Sequence, residues 1–131
     1  MRLLIDTHIL LWALGSPERL GASLRDDLTD PANQILFSTA SIWEIAIKAG
    51  LRKADFTARP ETVAREALAR GFGELPVGWR AAARIAGLPH LHRDPFDRIL
   101  VAQAVAEPVH LLTVDRKMLA YSDMVRMADV R

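Results

Sequence analysis

The 131-residue chain is 50% hydrophobic and carries 17 Lys and Arg against 16 Asp and Glu, for a formal net charge of +1. That length suits one compact domain over residues 1–131 with a sizeable core, and the near-neutral balance singles out no partner by itself. The absence of cysteine excludes disulfides and thiolate metal sites.

Short apolar runs alternate with helical patterns along the chain, which predicts an α/β fold around a parallel sheet. The opening MRLLIDTHILLWALG has its apolar run broken by Asp6 and His8. It therefore predicts neither a signal peptide nor a membrane span, and a cytoplasmic location is the default expectation. Residues 3–5 form a short strand, followed at once by the helix-capping types Asp6 and Thr7. A helix follows over 8–14, stopped by Gly15 and Pro17. A polar helix over 22–30 closes at Asp30-Pro31, and residues 35–37 make a second strand. Ser38, Thr39 and Ser41 are cap residues for the next helix, which runs to Gly50 with Ile42, Ile45, Ala46 and Ala49 on one face.

Residues 51–59 (LRKADFTAR) form a loop or short basic turn. Pro60 suits the first position of a helix that ends near Gly71. A brief strand is expected over 74–77, then a helix over 78–86 stopped by Gly87 and Pro89. Asp94-Pro95 opens another helix, ended by Pro108, whose Ala102, Ala104 and Ala106 permit close packing on a sheet. Residues 110–114 are the strongest strand signal and lead into Asp115. A helical turn over 116–120 and an edge strand over 124–127 complete the chain, which contains no repeat and no low-complexity segment.

Parallel sheets bind ligands outside the carboxyl ends of their strands. Asp6 and Asp115 each follow a strand, and Glu44 and Asp97 fall in the first turns of helices that start at, or pack over, that edge. All four acids are thus expected on one rim. Taken singly, each has a structural role that would account for it. Asp6 can cap the first helix, and Asp115 can start a turn. Glu44 stands three residues after Ser41, the spacing of a capping box, and four before Lys48, an ion-pair spacing. Asp97 can favour the macrodipole of a helix capped by Asp94.

Taken together the acids ask for more, because capping terms of about 1 kcal/mol each do not require four like charges to converge. A hard divalent cation does. Mg²⁺ takes one or two carboxylates directly and keeps waters for substrate phosphate. A cluster without Cys, and with histidines elsewhere, points to Mg²⁺ or Mn²⁺ rather than Zn²⁺. Such an ion activates a bound water and stabilises charge on a phosphodiester. With four acids gathered at the rim, the remaining surface is net positive, in keeping with an anionic polymer as substrate.

The stretches LLIDTHILLW, SIWEIAIK, HRDPFDRILVAQA and LLTVD resemble, in order and spacing, the PIN-domain ribonucleases, and among them the VapC-like toxins of prokaryotic toxin–antitoxin pairs. The resemblance extends from Met1 to about Ala128. It implies a PIN-like three-layer α/β/α sandwich with a parallel sheet of strand order 3-2-1-4-5. It implies a Mg²⁺-dependent endoribonuclease (Mn²⁺ substituting) with the catalytic acids Asp6, Glu44, Asp97 and Asp115. By similarity Asp6, Asp97 and Asp115 hold the metal, Glu44 works through water, and Thr113 bonds a carboxylate or the nucleophile. It also implies RNA as substrate, a small DNA-binding antitoxin as partner, and a homodimer.

Other residues invite chemistry less strongly. His90 and His92 have a metal-binding spacing, but no third ligand is local and the stretch reads as a loop, so no chemical role is expected. Asp94 is expected to cap and His8 to be structural or solvated. Trp12, Trp43 and Trp79 are expected in the core or at an interface. Lys48, Arg52 and Lys53 suit either a phosphate-tracking surface or a solvated basic face, and Arg98 could hold an acid or a phosphate. Two alternatives compete with the nuclease. One is another Mg²⁺-dependent phosphoryl-transfer α/β protein. A haloacid-dehalogenase-like phosphatase would want an acid two positions after Asp6, where His8 stands, and a receiver domain would want paired acids after the first strand. The other is a PIN-fold module that binds without catalysis, against which the complete acid set argues.

Overall fold

The computed structural model describes residues 1–51 and 57–131. Arg52 and Lys53, with most of the basic segment around them, lie outside the described residues.

Five strands form one all-parallel sheet: β1 (Arg2–Ile5), β2 (Gln34–Ser38), β3 (Gly73–Leu75), β4 (His110–Thr113) and β5 (Val125–Met127). Their order is β3-β2-β1-β4-β5. Leu4 of β1 pairs with Leu36 of β2 on one side and Leu111 of β4 on the other, so the chain reverses its direction of sheet growth beside β1. Such a reversal opens a crevice at the carboxyl ends of the two central strands.

Successive strand residues point to opposite faces, and the core divides accordingly. Leu3, Ile5, Ile35 and Phe37 join Ile9 and Leu10 of α1 (Thr7–Gly15), Leu24 of α2 (Ala22–Thr29), Ile45 of α3 (Thr39–Gly50) and Val63 and Ala67 of α4 (Pro60–Ala69). Leu4, Leu36 and Leu111 join Leu100, Val101 and Ala104 of the last helix. That helix, Pro95–Ala106, is α6, and α5 (Trp79–Arg84) packs on it. The result is a three-layer α/β/α sandwich, as the resemblance implied. Ala102 and Ala104 are fully buried, which lets α6 lie close on the sheet.

Several boundaries moved for identifiable reasons. Three closely spaced candidates, Ser38, Thr39 and Ser41, could cap α3, and Ser38 does so, its hydroxyl accepting from the Ala40 amide at 3.0 Å. Ser41 is therefore inside the helix and cannot form a capping box with Glu44, which sits in the second turn rather than the first. The buried face of α3 accordingly runs through Ala40, Ser41, Glu44 and Ile45, while Ala46 is exposed. Gly71 ends the α4 segment with φ +90°, and β3 begins at Gly73, earlier and shorter than expected. A Cβ at Gly73 would stand 2.9 Å from the Leu36 side chain, so glycine permits this strand its close approach to β2. The helix expected over 78–86 divides into α5 and a 3₁₀ turn, Ile85–Gly87. Two further 3₁₀ segments, Pro17–Arg19 and Arg116–Tyr121, follow α1 and β4.

Candidate functional site

Asp6 is the first residue beyond β1 and is 3% exposed. It caps α1 through Oδ1, which accepts from the Ile9 amide at 2.9 Å. Its Oδ2 accepts from the Val114 amide at 3.0 Å, so one carboxylate ties the first helix to the end of β4. Burial pushes the Asp6 pKa up against the lowering effect of these amides and the Thr113 hydroxyl. Thr113 is fully buried, and its Oγ1 also accepts from the Asp115 amide at 3.1 Å.

Glu44 is also buried, and both its oxygens are engaged. The Thr7 hydroxyl donates to Oε1 at 2.7 Å and Lys48 Nζ pairs with Oε2 at 2.7 Å. The ion pair expected at that spacing is present, so Lys48 is directed at an acid rather than at open solvent.

Asp97 is the third residue of α6, which Asp94 caps by accepting from the Phe96 amide at 2.9 Å. Burial and the neighbouring charge of Asp94 push Asp97 up to about 7; Asp6 and Glu44 add to the rise, and His92 opposes it. The charges of all these acids are thus felt at one carboxyl group. Asp115 is the second residue past β4, with Val114 between, and caps the following 3₁₀ turn by accepting from the Lys117 amide at 3.0 Å. Burial would raise it, but a hydrogen bond from His92 and that amide outweigh burial and hold it below the ordinary carboxylate range.

The rim therefore brings Asp97 and Asp115 together directly and Asp6 and Glu44 within electrostatic reach of Asp97. It also brings in His92, which was not expected to act. His92 Nε2 lies 2.6 Å from Asp115 Oδ2 and 3.3 Å from Asp97 Oδ2. One ligand-type atom from each of the three residues lies within 4.8 Å of the others. The missing third partner was distant in sequence, so the local spacing of His90 and His92 carried no sign of it. The one available signal was that His92 stands two residues before the Asp94-Pro95 helix start, which carries it to the same edge as Asp97.

Among the described residues, Lys48 is the only Lys or Arg paired with any of the four acids. Two or more oxygen-bearing groups crowded without a matching cation fit a hard divalent ion such as Mg²⁺.

The remaining candidates resolve differently. Arg98 turns from the rim and donates to the Ile85 and Leu88 carbonyls at 3.3 and 3.2 Å. His8 is exposed, with its ring 5.8 Å from that of Trp12, which also lies under the Arg19 guanidinium. Trp43 and Trp79 are 64% and 72% exposed, so neither is a core residue. Trp43 meets Phe96 edge-on at 5.3 Å and, with Val77, Ile85 and Ile99, lines an apolar groove on the surface of α3 and α6. No helix among the described residues is long and apolar enough to cross a membrane.

Comparison with solved structures finds the same architecture. A chain of VapBC2 from Rickettsia felis, solved bound to a DNA fragment from its promoter, is 15% identical with a TM-score of 0.72, and the match covers 100% of both chains. DNA-bound VapBC from Salmonella typhimurium gives 13% identity and a TM-score of 0.68 over 98% of each chain. A toxin-antitoxin complex from Klebsiella pneumoniae gives 24% identity and a TM-score of 0.62 over 95% of this chain and 96% of that one. Comparison with curated protein sequences returns no significant match. The PIN domain family matches residues 3–123, nearly the whole chain. By sequence over that span, and by the strand order and sandwich described above, this chain belongs to the PIN domain family.

Proposed function

We propose that the protein is a Mg²⁺-dependent endoribonuclease that serves as the toxin of a toxin–antitoxin pair. The observation that carries this reading is the crowding at the carboxyl rim. Asp97 is raised to about 7 by burial and by the charges of Asp94, Asp6 and Glu44, with no Lys or Arg among the described residues paired with it. Asp6, Asp97 and Asp115 would hold the ion. When bound, a Mg²⁺ ion supplies an activated water and positive charge to offset that of a phosphodiester.

The protein's own groups have separable tasks. Asp6 is rigid, since amides from α1 and from the end of β4 fix both its oxygens. Glu44, anchored by Thr7 and Lys48, is a second fixed acid positioned to orient a water without contacting the ion. Asp115 is kept ionised by its hydrogen bonds and so is ready to meet a cation at neutral pH. Asp94 is spent on its cap.

The toxin role rests on the solved relatives, several of which are toxin–antitoxin or VapBC assemblies. The exposed Trp43 and the groove beside it offer apolar area of the kind that a partner covers. We take that partner to be a small DNA-binding antitoxin, the protein itself to be a homodimer, and its location to be the cytoplasm. A non-catalytic PIN module is the competing reading, and one experiment separates the two. Purified protein incubated with RNA should release fragments in Mg²⁺ or Mn²⁺ and stop in EDTA, and its expression should arrest growth unless the antitoxin is present. RNA left intact under every metal condition would leave only the binding module.

A further inference from the structure

We propose that His92 is a positioning residue that holds Asp115 beside Asp97 at the metal site through its Nε2–H, and that it is not itself a ligand to the metal. The argument rests on which ring nitrogen carries the hydrogen. The backbone amide of Asp94 donates to His92 Nδ1 at 3.0 Å. An amide can only donate, so Nδ1 presents its lone pair and bears no hydrogen. The hydrogen of the ring is then on Nε2, the nitrogen that points at the acids. It lies 2.6 Å from Asp115 Oδ2 and 3.3 Å from Asp97 Oδ2. A second hydrogen on Nδ1 would meet the Asp94 amide head-on.

This arrangement inverts the one found at metal-bound histidines. A ligating ring gives its lone pair to the ion and donates its other N–H to a carboxylate or carbonyl. Here the other nitrogen already faces a donor. Coordination through Nε2 would require either loss of the Asp94 hydrogen bond or a ring stripped of both hydrogens. The trio of His92, Asp97 and Asp115 therefore has the composition of a three-ligand site but the hydrogen bonding of an imidazole N–H given to one acid, Asp115, with Asp97 close beside it.

The ring is well held for this task. The His92 amide donates to the Tyr121 hydroxyl at 2.9 Å, which pins the loop to the segment after β4, and the side chain is 13% exposed. Two carboxylates this close repel, and the N–H donated to Asp115 offsets part of that repulsion while leaving its second oxygen free of the ring. Asp115 uses that oxygen on the Lys117 amide. For Asp97, no hydrogen bond to either oxygen exists among the described residues. Because the imidazole lone pair is turned away, the site keeps an all-oxygen ligand set, which suits Mg²⁺ and Mn²⁺ and withholds the nitrogen that Zn²⁺ favours.

The role rests on the metal-dependent reading above, and the test separates the two. Long-range ¹H–¹⁵N correlation spectra of the labelled full chain report the state of each imidazole nitrogen, with His92 assigned by its disappearance in His92→Gln. His92 should show a protonated Nε2 and a bare Nδ1 both in EDTA and with saturating Mg²⁺. Calorimetric titration with Mg²⁺ then compares variants. Gln places an amide N–H near the Nε2 position, so His92→Gln should stay within a few-fold of wild type, whereas His92→Phe should bind Mg²⁺ about 10–100-fold more weakly. A bare Nε2 in the Mg²⁺-loaded wild type overturns the proposal alone. So does a His92→Gln that is folded but as weak as the Phe variant. A wild type that binds neither Mg²⁺ nor Mn²⁺ overturns the metal-dependent reading, and the positioning role with it. The spectra need no variant beyond the assignment, so a poorly folded His92→Phe does not remove the test.

Discussion

Asp94 and Asp97 are three residues apart, yet their environments assign them opposite roles. Asp94 accepts the Phe96 amide in an ordinary helix cap, whereas Asp97 faces other acids and is raised to about 7. On the proposed metal-dependent function, Asp97→Asn should therefore abolish RNA cleavage while leaving the chain folded, because it removes a charge that would organise the ion and little packing. Asp94→Asn should retain most activity, since Asn also caps well; an initial-rate assay on one RNA compares them, and equal inactivity would refute the division. The raised Asp97 also sets a pH dependence for the metal-free protein. The folded state keeps its proton up to about pH 7, while the unfolded chain loses it near 3.8. Folding thus binds protons in that interval, so stability falls as pH rises from about 4 to 7 and levels off above. Asp97→Asn lacks that slope and should be the more stable by about 1–3 kcal/mol at pH 8 in EDTA, a gain of several degrees in Tm. Urea unfolding of both proteins at pH 4.5 and pH 8 checks it, and a gap that does not widen with pH would sink the account. His92 marks where residue-level reading of the sequence stopped. Its role depends on Asp115, 23 positions away, which the spacing of two neighbouring histidines does not encode.

Two elements meet through Asp6. Its oxygens accept one amide from α1 and one from the end of β4, so the residue is a structural clamp as well as a candidate ligand. Asn keeps one acceptor and turns an NH₂ toward the other amide. A buried N–H facing a donor costs about 1–3 kcal/mol. In metal-free urea unfolding at pH 8, Asp6→Asn should thus be less stable than Asp97→Asn by about that amount. Equal stability would show that α1 and β4 are not joined through this carboxylate. The strands and helices themselves were largely legible, because alternating apolar triplets, Asp94-Pro95 and Gly71 are strong local signals. The start of α3 was not, since Ser38, Thr39 and Ser41 are all competent caps and only packing selects the first. That choice moves Glu44 from a helix-start position to a buried one in the second turn, where it meets Thr7 of α1 across 37 residues. Likewise β3 depends on the close approach of Gly73 to Leu36, a contact across the sheet rather than a run of strand-forming residues.

At the scale of the whole molecule, the sheet order places the crevice beside β1 and β4, and four acids from distant parts of the chain converge on that rim. The fold therefore carries an electrostatic load that an ion would relieve. Mg²⁺ would bind the folded rim and not the unfolded chain, so it should stabilise the wild type by RT ln(1 + [Mg²⁺]/Kd), about 2.7 kcal/mol at a hundredfold excess over Kd. Asp97→Asn begins more stable but should gain much less, because one of the converging charges is gone. The two melting curves should then approach, and with tight binding cross, as Mg²⁺ rises. Thermal unfolding across a Mg²⁺ titration measures this, with ionic strength held constant so that general screening of surface charge does not imitate binding. Parallel responses in the two proteins would mean that the ion acts away from Asp97. Asp97 would then be a helix-start acid in a crowded neighbourhood, and the rim would lose its claim to be a metal centre.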